Sequence, residues 1–134
     1  MTVKTLRFVP LGGLGEVGKN MMSLEYGDNV LVVDTGIMFP ENDMLGIDYI
    51  IPDFGYLKDK RDKIRGIVVT HGHEDHTGAI RHVLEEIPAP IYATPLTRGL
   101  LEVKLSRGGM LKGAKLNTVH AGERVKLGPF EVEF

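Results

Sequence analysis

Apolar residues recur along the chain in two periods, and the two periods divide it into strands and helices. Leu6-Arg7-Phe8-Val9-Pro10-Leu11 reads as a first strand. Met21 to Tyr26 and Val30 to Val33 flank the turn Gly27-Asp28-Asn29, the pattern of a β-hairpin. Phe54 to Leu57 reads as a short helical turn, and the apolar run Ile67-Val68-Val69 as a buried strand. Ile80, Val83, Leu84 and Ile87 then fall at the i, i+3, i+4, i+7 positions of one helix face. That face turns His82 away from the sheet, so His82 is expected to be exposed and no metal ligand. Ile91-Tyr92-Ala93 is another short strand, after which Thr94 caps a helix with Pro95 at its first position. This helix runs through Leu96, Leu100 and Val103 and stops at Gly108-Gly109. Leu116 to Val119, Glu123 to Leu127 and Phe130 to Phe134 complete the strands, the last two about the turn Gly128-Pro129. The order predicts an α/β fold, a mixed β-sheet with helices on one face.

Composition narrows this picture. A chain of 134 residues is one domain, and 43% hydrophobic with 25% charged residues is globular. A net charge of -2 argues against a broadly basic nucleic-acid surface, so any such groove must be local. Cysteine is absent, which removes any disulfide framework. Met1 to Phe8 lack the apolar core of a signal peptide, and no run is long enough to span a membrane; the cytoplasm is the expected location. The alternating run Lys58 to Lys63 reads as a solvated surface.

The chemistry concentrates in Thr70-His71-Gly72-His73-Glu74-Asp75-His76-Thr77-Gly78, between the Ile67 strand and the Ile80 helix. Three imidazoles and a carboxylate within six residues are a metal-ligand cluster, and no thiol competes with them. A strand-to-helix turn splays its side chains, so His71 and His73 can close on one metal while Asp75 and His76 face a second. Gly72 is expected to allow backbone angles that a larger residue resists. Glu74 has no assigned part.

Other candidates are weaker. Gly13, Gly15 and Gly18 match a dinucleotide fingerprint, yet a hairpin follows where that motif needs a helix. A glycine-shaped loop passing near the active site is the better reading. Lys19 and Asn20 stand within reach of a substrate phosphate, although a lone Lys is more often a solvated residue. Asp34 ends a buried strand, where it is either a turn-former ahead of Gly36 or a ligand-side residue. The stretch Ile37 to Ile51 is long for a connection; its apolar Ile37, Met38, Phe39, Met44, Leu45 and Ile47 predict packing. Glu41, Asp43 and Asp48 there are oxygen donors of the kind calcium prefers. His120, with no second ligand type beside it, reads as an ordinary turn histidine.

Thr70 to His76 resembles the HxHxDH signature of the metallo-β-lactamase superfamily. Leu11 to Asn20, together with Phe39-Pro40-Glu41 and Leu45 to Asp53, resembles the amino-terminal part of the bacterial ribonuclease J family, a β-CASP nuclease group. The resemblance spans essentially the whole chain. It implies the first half of an αββα sandwich, and a parent protein that cleaves RNA from the 5′ end and internally. Two Zn²⁺ ions would be held by His71, His73, Asp75 and His76, with Asp75 also catalytic and Asp34 orienting the ligand loop. A structural Ca²⁺ would take Gly46 and Asp48, with a remaining ligand outside the chain. A third His, a bridging Asp and a final His, and the β-CASP and carboxyl-terminal domains, would lie beyond Phe134, so the chain is expected to be a truncated, inactive portion. Its open inner sheet face, including Phe130 to Phe134, predicts a two-fold dimer. A small-thioester or ester hydrolase and a non-catalytic assembly module are the alternatives; phosphodiester against thioester assays separate the first two.

Overall fold

The structure, a computed structural model, describes residues 3–134. Met1 and Thr2, part of the stretch read for a leader, lie outside the described residues. One six-stranded sheet runs in chain order: β1 (Leu6–Gly12), β2 (Met21–Tyr26), β3 (Asn29–Val33), β4 (Ile64–Val68), β5 (Ile91–Ala93) and β6 (Leu116–Thr118). The first three strands pair antiparallel and β3 to β6 pair parallel, so the sheet is mixed, as predicted.

The parallel pairs need crossovers, and these carry the helices α1 (Gly55–Lys58), α2 (Glu74–Thr77), α3 (Ile80–Glu86) and α4 (Pro95–Arg107). Alternation along β3 assigns the faces. Val30 and Val32 join Ile67, Leu57, Ile80, Val83, Ile87, Leu101 and Leu105 in the helix-side core. Leu31, one residue out of phase, joins Val68 and Leu127 on the other side. Both faces of β3 and β4 are thereby covered, which explains their unbroken apolar runs.

Three expectations change here. The terminal hairpin, β7 (Arg124–Leu127) and β8 (Phe130–Glu133), forms its own two-stranded sheet and folds back over the main one. Leu127 is buried against Leu31 and Val68, while Val125, Phe130, Val132 and Phe134 pack around it with Leu24, Val33 and Tyr92. The face expected to be open is therefore partly roofed, and only its β1 end stays bare, with Leu6 60% and Phe8 56% exposed. Second, α4 buries Thr97, Leu101 and Leu105, leaving Leu96, Leu100 and Val103 exposed. Third, a pair of hydrogen bonds between Met38 and Ile50 pinches off the connecting loop. Ile37 is buried, but Phe39, Met44, Leu45 and Ile47 face solvent instead of packing. Among the described residues no helix is long and apolar enough to cross a membrane.

Candidate metal centre

The site lies at the carboxyl ends of β3 and β4, neighbouring parallel strands whose outgoing loops meet. Asp34 follows β3 with φ at +61°, a left-handed conformation that Asp tolerates better than most residues. Its backbone N–H donates to Val68 O at 3.0 Å and carries the ladder past the end of the sheet. The carboxylate is almost fully buried and accepts three hydrogen bonds: from Thr70 N at 2.8 Å, Thr70 Oγ1 at 2.7 Å and His76 Nδ1 at 2.7 Å. Because Nδ1 faces a carboxylate, it carries the ring proton, and His76 Nε2 presents its lone pair to the site.

The motif holds more structure than a plain turn. Residues Glu74–Thr77 form one helical turn, and His73 O accepts from the backbone N–H groups of His76 and Thr77, both at 2.9 Å. Gly72 has no positive φ, contrary to the expectation; what it supplies is room. A Cβ there would come within 2.5 Å of Leu100 Cδ1, so the Leu100 side chain of α4 would have to swing aside. Glu74, unassigned from sequence, pairs with Lys104 of α4 at 2.5 Å. Half-exposed as it is, that pair contributes about 1 kcal/mol at most.

His71, Asp75 and His76 converge. One donor atom from each lies within 4.8 Å of the other two, the only such trio among the described residues. The His71 and His76 rings stand 4.1 Å apart between centroids. His73 sits edge-on to His71 at 4.7 Å, beside the trio and not within it. The separation of His76 Nε2 from Asp75 Oδ2 is 3.4 Å. Two ligands about 2.1 Å from a tetrahedral ion stand about 3.4 Å apart, so the spacing of this donor pair is that of two ligands to one divalent metal.

The remaining candidates lie elsewhere. Gly46 and Asp48 are exposed on the loop beyond Met38, and neither shares in a three-donor cluster. His82 is half-buried instead of exposed: its Nε2 lies 2.7 Å from the Tyr49 hydroxyl, and it stands outside the trio. His120 is an exposed turn residue whose N–H donates to Glu123 Oε2 at 2.8 Å. Lys19 pairs with Glu16 at 3.3 Å. The glycine loop does pass the site, since Val17 and Gly18 line one recess with His73 and Asp75. It runs into β2 and opens no helix, which closes the dinucleotide reading.

The sequence offers Asn20 only as a group within reach of a substrate phosphate and Gly36 only as the residue behind a turn. Asn20 directs its side-chain amide at Asp75 and His76. Gly36 lies where a Cβ would overlap the Asp75 carbonyl oxygen. The signal for both is their position: Asn20 directly precedes β2, and Gly36 lies three residues beyond the end of β3.

The sequence pattern of the Metallo-beta-lactamase superfamily matches residues 14–125. The chain belongs to this superfamily. Within it, the chain is 47% identical over 98% of its length to "Ribonuclease J" of Synechocystis sp., and 44% identical over 92% to "Ribonuclease J 1" of Streptococcus pyogenes. It spans only 21% and 22% of those two curated relatives. The metallo-β-lactamase SMB-1 shares the fold, with a TM-score of 0.61 at 23% identity over 95% of this chain and 51% of that one. A divalent-metal site is what this superfamily fold and the His71, Asp75 and His76 cluster together imply.

Proposed function

We propose that this chain is the amino-terminal part of the metal-binding domain of a longer ribonuclease, which hydrolyses RNA phosphodiesters from the 5′ end and internally. The observation that carries the proposal is the 47% identity to a ribonuclease J along nearly the whole chain, joined to the convergence of His71, Asp75 and His76. The same identity favours RNA over a small thioester or ester. The further domains, among them a β-CASP domain, would lie in the rest of such a protein, and the cytoplasm is its proposed location.

In this reading the metal is zinc, two ions per complete site. Asp75 and His76 would hold one, and His71 with His73 the other. Bound there, the ions supply a water of lowered pKa and neutralise charge developing on the phosphate. The chain's own residues do the rest. Asp34 fixes the His76 ring with Nε2 toward the site, and the buried bonds to Thr70 hold the loop that bears all four ligands. Asp75 serves both as ligand and as anchor for the attacking water. Water adds to phosphorus, the P–O bond to the leaving ribose oxygen breaks, and a proton passes to that oxygen.

The test is Asp75→Ala in the protein extended to the length of its ribonuclease J relatives. RNA cleavage should be abolished with the fold retained. Turnover within about tenfold of wild type, each tenfold being about 1.4 kcal/mol of barrier, would defeat the assignment. Calcium at Gly46 and Asp48 is proposed on the resemblance, with its remaining ligand from outside this chain. Self-association into a dimer keeps as its basis only the bare β1 end around Leu6 and Phe8; a monomer in sedimentation at micromolar concentration would remove it.

A further inference from the structure

We infer that Asn20 is a positioning residue, whose side-chain amide sets the Asp75 carboxylate and the His76 imidazole on a common point before any metal arrives. The inference rests on the metal-centre reading above and adds a residue to it. Asn20 Nδ2 lies 3.3 Å from His76 Nε2 and 3.4 Å from Asp75 Oδ2, and those two donors are themselves 3.4 Å apart. The three atoms form a nearly equilateral triangle, with the amide where a third group would meet the two ligands. The amide N–H groups thereby hold two electron-rich atoms together that would otherwise be drawn to separate waters.

Which amide atom faces the site is settled by a further contact. Nδ2 also donates to the Asp75 main-chain oxygen at 3.1 Å, its two hydrogens being shared among three acceptors. An amide turned the other way would set its own carbonyl oxygen against that oxygen, with no proton between them. Asn20 is therefore a donor here, and its oxygen is not a metal ligand. Its backbone leaves little freedom: Asn20 N donates to Asp75 O at 3.1 Å and Asn20 O accepts from Gly36 N at 2.9 Å. Lys19 before it has φ at +50° and donates to Ile37 O at 2.9 Å. With Asp34, Lys19 is one of two non-glycine residues of positive φ among those described, and the segments that carry them both hydrogen-bond to the ligand loop. Strained backbone kept in this way is typical of a site whose geometry is imposed by its surroundings.

The experiment compares wild type, Asn20→Ala and Asn20→Asp in this chain, with two readouts. In metal-free protein, ¹⁵N spectra of the imidazole rings report the hydrogen bond at His76 Nε2. Zinc affinity, measured by competition with a chelating dye, reports the preset donor pair. Asn20→Ala should move the His76 Nε2 resonance and weaken zinc binding by about 10- to 100-fold, the usual loss for a group that orients a ligand. Asn20→Asp has the same shape but no N–H, so it should fail to restore either readout; it also decides the matter if the alanine variant does not fold. Folded variants with wild-type His76 resonances and zinc affinity would overturn the inference. So would an Asn20→Asp variant that keeps the wild-type His76 Nε2 resonance, since it has no N–H to give. Should wild type bind no zinc, the metal reading fails on its own and the imidazole spectra still judge Asn20.

Discussion

Two loops leave the same end of the sheet, one after β3 and one after β4, and both carry acidic residues in patterns that resemble a metal-binding family. They are built in opposite ways. Residues 69–79 are woven into two other segments: Thr35 N donates to His76 O, Ile37 N to Glu74 O, Asn20 N to Asp75 O and Ala79 N to Thr35 O. Residues 39–49 hang from the Met38–Ile50 pair, with Glu41, Asp43 and Asp48 all in solvent. The first loop brings imidazole and carboxylate donors to ligand spacing by its own hydrogen bonds. The second holds its acids apart, and any ion there must be completed by groups from elsewhere. Acidic residues in a family-like pattern thus do not by themselves bring donors together; hydrogen bonds to neighbouring segments do.

Substitutions that sharpen this contrast are ordered by size. Gly36→Ala should cost the most, about 3 kcal/mol in urea unfolding, because its Cβ would overlap the Asp75 carbonyl at the centre of the weave. A loss under about 1 kcal/mol would show that the segments part easily and that the loop is not held as described. Asp34→Ala comes next. It leaves Thr70 N–H and the His76 ring without their buried acceptor, so stability should fall by about 2 kcal/mol and zinc affinity by about 10- to 100-fold. Lost stability with unchanged zinc affinity would separate the fold from the site. His82→Ala should do least, within about 1 kcal/mol, since it removes one partly exposed bond to Tyr49. Reduced zinc binding in that variant would mean that the second loop reaches the centre through the Tyr49–His82 contact.

How much was legible in the sequence follows the range of the forces involved. The β2–β3 hairpin was readable from Gly27-Asp28-Asn29, and the buried face of α3 from Ile80, Val83, Leu84 and Ile87, because turn chemistry and periodicity are local. The convergence of His71, Asp75 and His76 was readable because these residues are neighbours in the chain. The rest depended on distant partners. Leu96, Leu100 and Val103 have a helical spacing as good as that of Leu101 and Leu105, and only the position of β5 and β6 decides which row is buried. Phe130 and Val132 look the same whether they face water or Leu31, so the folded-back hairpin was not visible. Gly72 looked like a conformational glycine because Leu100 lies 28 positions away. Asn20 carried only the hint of a substrate contact, and its place beside Asp75 and His76 was hidden because those partners are more than 50 residues ahead.

The central claim, that the donor set is built by the β4–α3 loop and not by the loop after β3, is tested most directly by zinc binding in this chain and two variants. Wild type should hold zinc measurably but weakly, because in the proposed two-ion site each ion takes two donors from this chain and a catalytic zinc normally keeps three protein ligands. His76→Ala should abolish that binding, and Asp48→Ala should leave it unchanged. Zinc retained in full by His76→Ala, or lost in Asp48→Ala, would contradict the account.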